Sequence, residues 1–303
     1  MAKTSKNTKM AIGKNIIQVD NVYFFPEQED VVFTTNNDIA FTSFYKERTE
    51  EAIIKNEIEC NERAILLWGL GGVGKTHFCR VLFNEYLNLI NKTPEKTRIR
   101  HLGYLTYNNS FDETLINGIK YKRINNYVED LKNSWEKLEK ISQTSEMLLI
   151  IDNVDCLPIE DPSLNKLNQL SGTIIITSRR NDFEYIKKHE IQSISVNDAL
   201  SLFKDINTNV DDNELEDLNY IVETLVAGHT YTIELLAHIS FSQDWSILRL
   251  RNELDKRKFN IAYVKSGQEH ILKQEYKKLF SLSKLSKEEI MSLRHFLCYL
   301  ICL

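Results

Sequence analysis

The 303-residue sequence predicts an α/β fold in which helices flank a parallel sheet and a helical region follows. Three observations carry this prediction. Short apolar segments such as AILLW and MLLII alternate with amphipathic helical segments, and strands that are apolar on both faces are typical of a parallel sheet covered on two sides. Four glycines fall within six residues between the first of these strands and the next helix. Beyond Asn197 the apolar periodicity is helical.

Periodicity places the individual elements in chain order. Short β-type segments are expected within 16–34 and a helix over 42–58. Strands are expected over 64–68, 98–107, 147–151, 173–177 and 191–196, with helices over 75–90 and 112–143 between them. Helices are then expected over 198–206, 213–226, 230–240, 244–256, 269–280 and 287–303. Gly228 stands where a glycine would cap the end of the helix over 213–226.

Composition excludes several classes of protein. Apolar residues make up 42% and charged residues 27%, which is ordinary for globular proteins and excludes a disordered or low-complexity chain. The 38 basic and 43 acidic residues give a formal net charge of −5, which argues against a nucleic-acid partner. No apolar run approaches the roughly 20 residues of a membrane span. The five cysteines form no CxxC pair and fit a reducing cytoplasm.

The segment GLGGVGKT satisfies the pattern G-x-x-x-x-G-K-S/T, and it lies between an apolar strand and an amphipathic helix, as that pattern requires. Glycines let backbone N–H groups converge on phosphate oxygens, and the helix N-terminus adds its dipole. Lys75 is placed to contact the β- and γ-phosphates, and Thr76 to offer a hydroxyl to Mg²⁺. A glycine-rich turn without a ligand is the alternative. The predicted cofactor-binding residues here are Gly69, Leu70, Gly71, Gly72, Val73, Gly74, Lys75, Thr76 and His77.

Two side chains at strand ends complete the predicted site. Asp152 ends the strand MLLII, at the sheet edge where ligands bind in open parallel sheets, and is predicted to hold Mg²⁺ together with Thr76. Arg179 follows the strand TIIIT and could reach a γ-phosphate, whereas a surface position is favoured for Arg180. The predicted catalytic residues are therefore Lys75, Asp152 and Arg179.

The residue after Asp152 bears on the rate of any hydrolysis. Many ATPases carry an acid at this position, which activates the attacking water, but this chain has Asn153. An amide cannot accept a proton at neutral pH, so slow turnover is expected. Asp155, two residues further on, is a second candidate for the base, and the sequence leaves that choice open.

These segments, in this order, resemble the NB-ARC branch of the STAND nucleotide switches. The matching segments are LLWGLGGVGKTHF, HLGYLTY, MLLIIDNVD, GTIIITSRR, DALSLF and VAGHTYTIELLAH, and EYKKLFSLSKLSKEEIMSLRHF looks like the opening of a winged helix. The resemblance covers about residues 41–303. It implies that Asp152 holds magnesium, that Arg179 senses the γ-phosphate and that Gly228 lines the adenine–ribose side. Thr230 replaces the proline that is usual in the last motif.

The resemblance implies a cytoplasmic ADP/ATP-binding switch that uses Mg²⁺, hydrolyses ATP slowly and meets a protein partner or itself in the ATP state. Its role would lie in signalling, regulation or defence. It also implies four segments: an extension over 1–40, a P-loop nucleotide-binding domain over 41–205, a helical domain over 206–262 and a partial winged helix over 263–303. A turnover ATPase of AAA type and a DNA-binding transcriptional regulator, which would use the basic segment 249–258, stay open as alternatives.

Overall fold

The computed structural model of the chain describes residues 45–120 and 123–280, together with three short strands nearer the N-terminus. The strands are β1 Ile17–Val19, β2 Val22–Phe24, β3 Val32–Phe33, β4 Ala64–Trp68, β5 His101–Thr106, β6 Ile119–Lys120, β7 Met147–Asp152, β8 Thr173–Ser178 and β9 Lys187–Glu190. The helices are α1 Thr49–Glu59, α2 Lys75–Lys92, α3 Phe111–Gly118, α4 Tyr127–Ser142, α5 Val196–Ile206, α6 Leu215–Asn219, α7 Thr230–Ser242, α8 Ile247–Lys256 and α9 Glu269–Phe280. β1 pairs with β2, and β3 with β6, in antiparallel fashion.

Five parallel strands form the central sheet in the order β5-β7-β8-β4-β9. Ile65 of β4 lies beside Ile175 of β8, and Leu149 of β7 lies beside Ile174. β8 therefore separates the strand that precedes the glycine-rich loop from the strand that ends at Asp152. Because all five strands run in one direction, the carboxyl ends of β4, β7 and β8 meet at one edge of the sheet.

Apolar side chains cover both faces of this sheet. Ile65 and Leu67 belong to the core formed with α1 and α2, whereas Leu66 belongs to the core formed with α3 and α4. A third core joins α5 to α9 and contains Phe203 and Tyr276. Burying a large apolar side chain stabilises the fold by roughly 1.5–3 kcal/mol. The predicted α/β class, a P-loop parallel sheet flanked by helices and followed by further helices, is confirmed.

The last strand of the sheet does not lie where the apolar pattern predicts it. The expected strand over 191–196 is wrong, because the strand is the polar segment Lys187–Glu190. β9 occupies a sheet edge, where only one side pairs and no apolar run is required. Lys187 and His189 instead form contacts of 2.8 and 2.7 Å with Glu57 of α1.

The expected single helix over 112–143 is also wrong, because two helices occupy this stretch. α3 ends at Gly118 and the short strand β6 follows it. The second helix starts anew at Tyr127, where the side chain of Asn126 accepts hydrogen bonds from the N–H groups of Val128 and Glu129. Periodicity alone did not reveal this cap within a long polar stretch.

The helical region follows the sequence prediction closely. A π-helical turn, Tyr220–Leu225, continues α6. Gly228 then adopts a φ of +68° and donates its N–H to the carbonyl of Val222 at 3.1 Å, which confirms the predicted glycine cap. The predicted helix over 287–303, and with it most of the winged-helix segment, lies outside the described residues. Among the helices that are described, none has the length and apolarity needed to cross a bilayer.

Gly228→Ala should lower the free energy of unfolding by at least about 2 kcal/mol. A Cβ at this position would lie 2.1 Å from the carbonyl oxygen of Ile194, so the substitution adds a backbone clash to a left-handed φ. Gly267→Ala is the matched control, since Gly267 has a φ of +86° but nothing within 4 Å of its Cβ position. The control should cost only about 1 kcal/mol. Urea unfolding measures both, and equal losses would contradict the packing argument.

Candidate functional site

The glycine-rich loop joins the end of β4 to the start of α2. Gly69, Gly72 and Gly74 have φ values of +149°, +85° and +108°, which side chains with a Cβ rarely adopt. α2 begins at Lys75, and no described side chain caps its N-terminus. The first-turn N–H groups of the helix thus face the loop together with the positive end of the helix dipole. This arrangement is an anion-binding site in its general form.

Three successive carbonyl groups of the loop are held from behind by residues of the helical region. Nε2 of His229 lies 2.9 Å from the carbonyl oxygen of Gly71. The backbone N–H of Tyr231 donates to Gly72 at 3.1 Å, and the hydroxyl of Thr230 donates to Val73 at 3.1 Å. The guanidinium of Arg48 also donates to the carbonyl of Val73, at 2.6 Å.

His229 is neutral in this setting, and its tautomer is fixed by its partners. Burial, assisted by the nearby charge of Lys75 and opposed by the hydrogen bond to Gly71, lowers the pKa of His229 to about 4. A carbonyl oxygen can only accept, so Nε2 carries the proton and Nδ1 must accept. Nδ1 lies 2.9 Å from the hydroxyl of Thr232, which lies 3.0 Å from the hydroxyl of Tyr276 in α9.

Lys75 folds back over the loop. Its Nζ donates to the carbonyl oxygens of Gly69 and Leu70 at 2.8 and 3.2 Å. Burial lowers the pKa of Lys75 to about 8, with the carboxylate of Asp155 acting in the opposite direction. The side chain is therefore largely an ammonium at neutral pH, held over the mouth of the loop.

Asp152, at the end of β7, is surrounded by hydroxyl groups. Its Oδ1 accepts from Thr76 at 3.0 Å and from Thr177 at 2.6 Å, and its Oδ2 accepts from Tyr104 at 2.9 Å. Asp152 is only 3% exposed. No ion pair between this carboxylate and a described lysine or arginine is present. The structure thus brings the two predicted magnesium ligands, Thr76 and Asp152, into direct contact.

Asp155 and Arg179 form a partly buried ion pair beside this site. The Nε of Arg179 donates to Oδ2 of Asp155 at 2.7 Å, its Nη2 contacts the same oxygen, and its backbone N–H donates to Oδ1 at 2.9 Å. The two side chains are 14% and 11% exposed. The carboxylate of Asp155 is thereby occupied by the predicted γ-phosphate sensor. Arg180 lies at the surface, as predicted, and it forms ion pairs with Asp182 and Glu160.

Two further predicted residues, His77 and Gly228, make contacts outside the loop. His77, in the first turn of α2, stacks on Tyr45 with a ring-centroid distance of 5.4 Å. Gly228 packs against the backbone that leads into α5, where its carbonyl accepts from the N–H of Ile194 at 3.2 Å. This contact gives a structural reason for the glycine, and its predicted place beside adenine stays a prediction.

Sequence reasoning missed several residues of the site: Arg48, Tyr104, Thr177, His229 and Tyr231. The position of Thr177 could have been predicted, because it precedes Ser178 and Arg179 at the end of the same strand. His229 and Tyr231 lie next to the recognised Gly228. Nothing in the sequence distinguishes Tyr104 from an ordinary core tyrosine or Arg48 from a surface arginine.

Comparison with known proteins shows that the chain is similar to solved structures in its fold. No protein-family profile and no curated protein matches the chain. A STAND protein with a tetratricopeptide repeat sensor from Pyrococcus horikoshii matches with 17% identity and a TM-score of 0.40, over 66% of this chain and 30% of its own. The chain thus spans less than a third of that protein.

Two further solved structures are also similar to the chain in their fold. The Walker-type ATPase of Pyrococcus abyssi matches with 12% identity and a TM-score of 0.48, over 84% of this chain and 89% of its own. Drosophila ORC bound to DNA matches with 13% identity and a TM-score of 0.43, over 67% and 58%. None of these comparisons supports the prediction against a nucleic-acid partner, which was drawn from the net charge of the sequence.

Protonation of His229 should make the protein less stable as the pH falls. The folded pKa of about 4 lies below the ordinary value of 6.5, so unfolding takes up a proton between these two values. Stability is complete above pH 6.5 and falls towards pH 4, by about 3 kcal/mol at most. His229→Gln removes this component, whereas His270→Gln, at an exposed position, should not. Urea unfolding at pH 7 and 4.5 tests this, and equal pH slopes in wild type and His229→Gln would contradict it.

Proposed function

We propose that the chain binds ADP and ATP in the loop 69–76 and acts as a STAND-type molecular switch. The observation that carries the proposal is the 3.0 Å contact between Thr76 and Asp152 at the open N-terminus of α2. Phosphate oxygens would be bound by the glycine-rich loop, by the uncapped N-terminus of the helix and by the lysine beside it. The choice of adenine comes from the resemblance of the sequence and not from a contact.

The residues present fit a magnesium ion. Asp152 is a buried carboxyl group that accepts hydrogen bonds from three hydroxyl groups and forms no ion pair with a described lysine or arginine. A carboxylate and a hydroxyl oxygen are ligands that Mg²⁺ prefers. Thr76 and Asp152 would hold the ion, which neutralises phosphate charge when bound. Thr177 and Tyr104 keep the carboxylate in a fixed orientation.

The surroundings of Asn153 support slow hydrolysis. Asn153 offers an amide where a base would be needed, and its backbone N–H is held by the hydroxyl of Thr177 at 2.8 Å. Asp155 is the other carboxylate close in sequence, and its oxygens accept from Arg179. Because both oxygens of Asp155 already accept hydrogen bonds from Arg179, neither residue is placed to accept a proton from water.

A switch is favoured over the two alternatives. A turnover ATPase of AAA type would need a base that Asn153 does not supply. A DNA-binding regulator would need free cations on α8, but Arg249 lies 4.6 Å from the ring of Trp245, and Arg251 pairs with Asp217 at 2.6 Å. The proposed switch would meet a protein partner or a second copy in its ATP state, as the resemblance implies.

Mg-ADP should raise the melting temperature of the protein. Ligand at 100 times its Kd stabilises the folded state by about 2.7 kcal/mol, which corresponds to several degrees for a chain of this size. Lys75→Ala should lose most of this shift, because the ammonium contacts phosphate. Lys277→Ala, at an exposed position of α9, is the control and should keep it. No shift in the wild type, or an equal shift in Lys75→Ala, would overturn the proposal.

Steady-state ATP turnover should stay below about 0.1 s⁻¹, because a positioned base typically contributes 10²–10⁴-fold. Asn153→Asp should raise the rate at least tenfold by supplying that base. Asp155→Ala should not abolish the basal rate, because the carboxylate of Asp155 is paired with Arg179. Phosphate release from the three proteins is the measurement. A wild-type rate above about 1 s⁻¹ that collapses in Asp155→Ala would identify Asp155 as the base and favour a turnover ATPase.

A further inference from the structure

We propose that His229, together with the backbone that follows it, is a positioning element that holds the phosphate loop in its binding shape. The inference rests on the proposed function, since it concerns how the same loop binds a phosphate. Thr230 and Tyr231 complete the element. These three consecutive residues contact the carbonyls of the consecutive residues Gly71, Gly72 and Val73.

The geometry of the peptide bond gives these contacts their meaning. In a trans peptide the C=O and the following N–H point in opposite directions. No peptide bond of the described residues is cis. A donor that holds the carbonyl of Gly71 therefore turns the N–H of Gly72 to the other side of the loop. The same relation turns the N–H groups of Val73 and Gly74 away from the helical region, and the N–H of Val73 donates to the carbonyl of Leu70 within the loop at 3.3 Å.

The positioning element packs directly against the loop, with no space for a side chain between them. A Cβ on Gly72 would lie 2.8 Å from Cε1 of His229 and 3.1 Å from Cβ of Tyr231. The loop thus requires glycine at this position both for its φ of +85° and for the close approach of His229. A shift of the element would move the three carbonyls and the N–H groups attached to them.

A chain of hydroxyl groups orients the imidazole. Tyr276 is hydrogen-bonded to Thr232, and Thr232 to Nδ1 of His229. Tyr276, Thr232 and His229 are 1%, 0% and 2% exposed. Because Nε2 must donate to Gly71, the direction of donation runs from Tyr276 through Thr232 to His229. Tyr276 also makes an edge-on ring contact with Tyr231, at a centroid distance of 5.7 Å. This contact helps to hold the backbone N–H of Tyr231 against the carbonyl of Gly72.

The test is the affinity of ADP without magnesium, measured by isothermal titration on the full chain. His229→Leu removes the donor to Gly71 and should weaken ADP at least tenfold. His229→Gln should stay within about threefold of the wild type, because its side-chain amide can donate to the same carbonyl. His238→Leu, at an exposed position of α7, the helix that follows His229, is the matched control and should leave the affinity unchanged.

The outcomes separate this inference from the proposed function. Failure of the wild type to bind ADP would overturn both. Normal binding by wild type and His229→Leu, with binding lost in Lys75→Ala, would overturn the positioning role alone. Equal losses in the leucine and glutamine variants would assign His229 to packing and likewise overturn it. Should the leucine variant not fold, Thr232→Val decides, since it should weaken ADP at least threefold and an unchanged affinity would contradict the inference.

Discussion

The site depends on one constraint of backbone geometry. A loop that offers several successive N–H groups to one anion must direct the carbonyls of the same peptides to the opposite side. Buried carbonyls need donors, and here His229, Thr230 and Tyr231 supply them to three neighbouring peptides. The helical region is therefore part of the proposed phosphate site although it provides no predicted phosphate ligand. The glycines of the loop allow this backbone conformation, and the close packing of the helical region against them holds it in place.

The parallel sheet adds the charged groups. Its strand order puts β8 between β4 and β7, so Thr177 reaches Asp152 and Arg179 reaches Asp155 across adjacent strand ends. The ion pair neutralises the cation that would sense a third phosphate, and the hydroxyl of Ser266 donates to the carbonyl of Arg179 at 2.7 Å. A γ-phosphate would compete with Asp155 for the guanidinium. Such competition suits a device that distinguishes ADP from ATP rather than one that turns ATP over quickly.

The sequence was sufficient for those features whose chemistry is local. The loop, Thr76 and Asp152 were predicted because the motif and the strand end place them together. β9 was missed because an edge strand can be polar. The contact between His229 and Gly71 joins residues 158 positions apart, and no periodicity encodes it. The role of Asp155 was undecided in sequence, and the ion pair with Arg179 required the neighbouring strand to be in place.

A crystal structure of the protein with Mg-ADP tests the central claim most directly. The β-phosphate should lie within about 3 Å of the backbone nitrogens of Gly72 and Gly74. The contacts of His229, Thr230 and Tyr231 with the three loop carbonyls should be unchanged on the other side. A β-phosphate bound elsewhere, or a loop that breaks these contacts to bind it, would contradict the account.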